Sequence, residues 1–193
     1  MGLFDRLFGG RFTAPPPEET NVSDAEILRE LHPRPSPEQR KALKELVEQL
    51  LTFTPEDERQ RLIRRVDRRF NKQDGAQEAF SEGLLDSARG QKTQHLALLS
   101  FDWRGFDGFE YLAPIAVKNC GISEVYTYSH SGVKPMAEVL TDFDIWLAQH
   151  GRRYLHFDSG GDDYLGAIVE DERVPEIIQL AEVAGLRASL DSF

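Results

Sequence analysis

The chain has 193 residues, 40% hydrophobic and 29% charged, with a formal net charge of -10, a balance suited to a folded soluble domain. Excess acid argues against nucleic acid as the ligand, because phosphate contacts need Lys and Arg. The single cysteine, Cys120, forbids an internal disulfide and a cysteine zinc site, and no run approaches the ~20 apolar residues of a membrane span.

Met1 to Gly10 places Leu3, Phe4, Leu7 and Phe8 at helical spacing, with Gly9 and Gly10 to end it. With the Pro-rich stretch 14–20 it forms an amphipathic tail and linker over residues 1–22. The tail is read as a weak membrane or partner contact, as a segment that docks on its own protein, or as a disordered tail. It has neither the apolar core nor the cleavage site of a secretory signal, and position 6 is Arg where a myristoylation motif wants Ser or Thr. The expected location is the cytoplasm.

Residues 23–90 read as a helical region. Ser23-Asp-Ala-Glu26 is a capping box. Ser36-Pro37-Glu38 caps a second helix, with Leu43, Leu46, Val47, Leu50 and Leu51 on one side. Thr54-Pro55-Glu56 caps a third, with Leu62, Ile63, Val66 and Phe70 as its buried stripe. A fourth covers Ala76 to Ala88. The third helix also carries a stripe of Arg59, Arg61, Arg64, Arg65, Arg68 and Arg69. Interleaved acids make it a solvated face, or a dock for the acidic half of the chain, before a nucleic-acid surface.

Residues 91–193 read as an acidic α/β domain. From residue 95 onward, 7 Lys and Arg stand against 16 Asp and Glu, a net of -9, and all five Tyr and both Trp fall there. Strands are expected over 95–103, 124–129 and 153–157, with a hairpin return over 165–169 and a last strand over 186–190. Helices are expected over 109–119, 135–150 and 175–184. Strands alternating with helices predict an α/β fold, a mixed sheet flanked by helices, with the first three strands parallel.

Ligands meet open α/β sheets at the carboxyl ends of strands, so the candidate binding residues lie in three loops. These are Asp102, Trp103 and Arg104; His130; and Asp158, Asp162, Asp163 and Tyr164. Trp103, beside a charged residue and just past a strand, has the character of an interface anchor. An acidic surface suits a basic protein partner and fast, steered association. An alternative is a small metal-dependent or hydrolytic enzyme, with Asp102, Asp158, Asp162 and Asp163 around a cation and His130 as base or ligand. No calcium-hand spacing, Gly-x-Ser-x-Gly elbow, Walker loop or dinucleotide fingerprint occurs, so no cofactor is expected. His156 alternates with Leu155 and Phe157, which makes it a structural histidine on the opposite sheet face. Cys120, on an apolar helix face, reads as a buried, inert thiol.

Phe101-Asp102-Trp103, Ser131-Gly132-Val133 and the hairpin Gly160-Gly161-Asp162-Asp163-Tyr164 resemble a family of small bacterial proteins known as a domain of unknown function. Their layout is similar to that of cytoplasmic immunity proteins that neutralise secreted toxins. The glycine-acid hairpin is also similar to the Smi1/Knr4-like immunity fold, although this chain lacks that group's tryptophan-led opening and Asn-Gly-Gly turn. The resemblance covers residues 95–193. It implies a non-catalytic protein-binding role of immunity or adaptor type, and brings no catalytic residue with it.

Overall fold

A computed structural model describes residues 34–71, 75–128 and 134–193. Among these, six helices surround one four-stranded sheet. The order is α1 (Pro37–Leu50), α2 (Glu56–Phe70), α3 (Ala76–Leu85), β1 (Leu98–Phe101), α4 (Phe106–Asn119), α5 (Met136–Ala148), β2 (Arg152–Phe157), β3 (Tyr164–Glu170), α6 (Val174–Ala184) and β4 (Ala188–Ser189). The expected tail over 1–22, the capping box at Ser23 and the loop residue His130 lie outside the described residues.

The local signals act as the sequence suggests. Ser36 and Gln39 close a reciprocal capping box at the start of α1, and Pro37 occupies the first turn. At the end of α6, Gly185 takes φ +87, and the N–H of Leu186 returns to the carbonyl of Ala181 at 2.8 Å. This left-handed turn reverses the chain toward β4.

The strand order is β1-β3-β2-β4. Every pairing is antiparallel: Leu98 to Phe101 oppose Ala167 to Tyr164, Arg152 to Phe157 oppose Glu170 to Leu165, and Phe157 opposes Ala188. The α/β class with flanking helices holds, while the neighbouring strands are antiparallel where parallel ones were expected. The hairpin return β3 is the reason. It pairs on both edges and so stands between β1 and β2, which still run in the same direction.

The strand expected over 124–129 does not form within its described part, residues 124–128. Its alternation comes from side chains instead. Tyr126 is buried, with its ring 4.7 Å from that of Phe143 and 4.9 Å from that of Trp146, while Val125 faces solvent. Aromatic packing holds this segment, and among the described residues no strand pairs with it. The last strand is also shorter than expected, at two residues.

Two cores lie on opposite faces of the sheet. On one face Leu98, Leu155, Phe157, Leu165, Ala167 and Val169 pack against the apolar stripes of α1, α2, α3 and α6. On the other, Leu99, Phe101, Tyr154 and Ile168 pack against α4 and α5. The period-two alternation of each strand divides its residues between the two faces. The segments expected as a helical region and an α/β domain meet in the first of these cores, and Arg34–Phe193 forms one compact unit.

Candidate functional site

β1 and β2 end at the same rim of the sheet, where β3 begins: Phe101 opposes Tyr164, and Phe157 opposes Leu165. The topology therefore brings the Asp102–Arg104 loop and the Asp158–Tyr164 hairpin to one edge, although by an antiparallel route. Tyr164 starts β3 and is half-buried against the α4 and α5 core.

The Asp102 carboxylate accepts the backbone N–H of Arg104 at 2.8 Å, and its carbonyl accepts that of Gly105 at 3.0 Å. A Cβ on Gly105 would meet the Asp102 carbonyl oxygen and the Phe101 Cβ at 3.1 Å, so the turn is tight. This Asx turn throws Trp103 outward, leaving it 58% exposed. The Arg104 guanidinium lies 4.0 Å over the indole ring, a cation–π stack that preorganises both side chains.

Asp158 works in a similar way. One carboxylate oxygen accepts the N–H of Gly160 at 2.9 Å, and the other pairs with the Arg187 guanidinium. The backbone N–H of Asp158 also donates to the Arg187 carbonyl at 3.0 Å. The Gly160 N–H, followed by Arg187, holds the Asp158 carboxyl below the usual carboxylate range. Gly160 has φ +73, which a side chain would strain. Asp162 and Asp163 are exposed, and among the described residues they form no ion pair.

These carboxylates share a rim without forming a cation site. Among the described residues no group of three or more His, Cys, Asp or Glu side chains is placed to hold a metal ion. β3 stands between the ends of β1 and β2, which puts their backbones about 10 Å apart. Asp102 and Asp158 each turn back on their own chain.

Arg187 and Phe193 belong to this rim and escape the sequence reading. The Arg187 guanidinium lies 5.2 Å over the ring of Phe193, which is 55% exposed. Their signal was the pairing of a short last strand with the end of β2, which no local pattern reveals.

The remaining candidates are structural. His156 is 4% exposed, on the α4 and α5 face, with its ring 4.9 Å from and perpendicular to that of Tyr154. Burial pushes its pKa down to about 4. Burial likewise pushes the Cys120 thiol up to about 12, so it stays protonated and unreactive. In the arginine stripe, Arg59 pairs with Glu56. Arg61 pairs with Glu58 and donates to the carbonyls of Arg89 and Gly90. Arg65 pairs with Asp86 and donates to the Gly83 carbonyl. Arg61 and Arg65 thus tie α2 to the end of α3 and the loop that follows, while Arg59 pairs within α2.

Among the described residues no helix is long and apolar enough to cross a membrane. Comparison with curated proteins found no match, and comparison with solved structures found none. A family model described as "Domain of unknown function (DUF6630)" matches residues 25–191, a span that takes in the helices, the sheet and the acidic rim. The chain belongs to the DUF6630 family.

Proposed function

We propose that this chain is a non-catalytic cytoplasmic protein-binding protein, of immunity or adaptor type, that meets a basic partner at the rim carrying Trp103. The observation that supports this is the half-exposed indole of Trp103, stacked under Arg104 beside an acidic hairpin. Interface hot spots favour Trp and Arg, because a rigid aromatic loses little entropy when it is covered. Asp162 and Asp163, which form no ion pair among the described residues, add negative charge on the same rim, in a half of the chain that nets -9. Such a field raises association rates with a cationic surface.

The bacterial origin rests on the resemblance of Phe101-Asp102-Trp103, Ser131-Gly132-Val133 and the glycine-acid hairpin to small bacterial proteins, and the immunity-type form on their layout, which is similar to that of cytoplasmic immunity proteins. The test is affinity capture from the native cell lysate with the wild-type chain and with Trp103→Ala. The expected result is a basic protein retained by the wild type and lost from the variant. As purified components, the two proteins should then bind more weakly as salt rises. If both baits retain the same proteins, the rim is not the binding surface.

A further inference from the structure

Gln91 lies against the outer edge of β1 like a fragment of an added strand. Its side-chain carbonyl accepts the N–H groups of Ala97 at 2.9 Å and Leu98 at 3.0 Å, and its amide donates to the carbonyl of Leu98. The N–H and C=O of Leu98 therefore point away from β3. In an antiparallel ladder both groups of one residue point to the same side, and the side alternates along the strand. The N–H and C=O of Ser100 must also point outward, and among the described residues neither has a partner.

Ser100 lies on the floor of a groove of about 400 Å³. One wall holds Leu85 of α3, which packs on the first core. The other holds Leu96 and Leu112, which pack on the second. Side chains of an added strand would point alternately toward these two leucine walls.

We propose that this groove takes an extended peptide segment of a partner protein as a fifth strand, with its backbone exchanging two hydrogen bonds with Ser100. The Gln91 amide already shows that peptide-like groups satisfy this edge. A second copy of the chain fits less well. Its own β1 is recessed between the same walls, so the leucines would meet before the two backbones came within ~4.8 Å. This inference uses a different surface from the Trp103 rim and does not rest on it.

The test is amide NMR of the full chain with a blocked probe peptide, Lys-Lys-Val-Leu-Val-Lys-Lys. Its apolar centre suits the walls, and its lysines suit the acidic chain. The expected result is a shift of the Ser100 amide and slowed exchange there on titration to millimolar peptide. Methylating the central Leu nitrogen of the peptide should weaken binding by about tenfold, since it removes one donor at the pairing position. Leu112→Glu in the protein should weaken it similarly, with its fold checked by the unchanged amide spectrum of α1. The proposal is overturned by an unmoved Ser100 amide, by equal affinity for the methylated peptide, or by a Ser100 amide already protected in the free protein. Sedimentation showing β1-dependent dimers would assign the edge to a second copy and overturn it as well.

Discussion

The phenol ring of Tyr154 occupies the space that a side chain at Gly166 would need. The two residues sit diagonally on neighbouring strands, since Gly166 opposes His156 and Ile168 opposes Tyr154. A Cβ on Gly166 would lie 2.6 Å from the Tyr154 hydroxyl oxygen, inside any tolerable contact. Gly166→Ala should therefore destabilise the protein by about 2–3 kcal/mol in urea unfolding, the upper range for overpacking a core. Tyr154→Leu should relieve much of that loss in the double variant. Additive losses would show that the ring is not the obstacle.

The same tyrosine has a fully buried hydroxyl that has no hydrogen-bond partner among the described residues. Burial raises its pKa, so the group remains neutral. Tyr154→Phe deletes the unpaired group and keeps the ring. It should leave stability unchanged or raise it by up to about 1 kcal/mol, and a loss larger than that would reveal a partner for the hydroxyl.

His156 predicts how stability depends on pH. Its folded pKa falls from 6.5 to about 4 through burial, against the opposing pull of Asp144 and Asp191. Below 6.5 the unfolded chain binds a proton that the folded chain resists. The stability from neutral His156 is thus complete above pH 6.5 and is lost as pH falls toward 4. The total is on the order of 3 kcal/mol. His156→Phe should flatten that part of the profile in chemical denaturation between pH 7 and pH 4. An unchanged slope would assign the acid sensitivity to other groups.

The acids of the rim should separate into two kinds. Asp158→Asn weakens both the cap on Gly160 and the pair with Arg187, and should cost about 1 kcal/mol. Asp162→Asn with Asp163→Asn breaks no hydrogen bond among the described residues, and should hold Tm within a few degrees. Thermal unfolding of the two variants decides. Equal losses would mean that Asp162 and Asp163 also hold the hairpin.

Gln91 should act as a plug for the sheet edge. Gln91→Ala removes three hydrogen bonds to Ala97 and Leu98 and should cost about 1–2 kcal/mol. It also leaves the N–H and C=O of Leu98 open beside those of Ser100, so the Leu98 amide should exchange with solvent faster than in the wild type, as read by amide NMR. A variant of unchanged stability with an equally protected Leu98 amide would show that the side chain does not hold this edge.

Much of this architecture was legible because its signals are local. Ser36 before Pro37, the leucines of α1 and Gly185 after α6 each act within a few residues, and each does what its chemistry predicts. The glycine-acid hairpin between Phe157 and Tyr164 was equally readable, and so was the face taken by His156. Strand direction was not, because no residue of β1 encodes whether it pairs with β2 or β3. Nor was the aromatic anchoring of Tyr126, whose alternating neighbours imitate a strand. Parallel crossovers, as the sequence pattern predicts them, would bring Asp102 and Asp158 to one rim, and the antiparallel sheet reaches the same rim through β3. Arg187 carries no local signal, because its partner lies across a chain reversal.

The order β1-β3-β2-β4 also bears on how the chain assembles. β2 and β3 are joined by a tight hairpin and can pair as soon as both exist. β1 precedes them by two helices, and Leu98 finds its partner only at Ala167. During synthesis from the N-terminus, α1, α2 and α3 thus emerge before most of the sheet they will cover. Their leucine stripes stay uncovered until the hairpin and α6 arrive. A chain ending before Tyr164 would present those stripes with no β3 to seat them, so aggregation, rather than a stable helical fragment, is its expected fate.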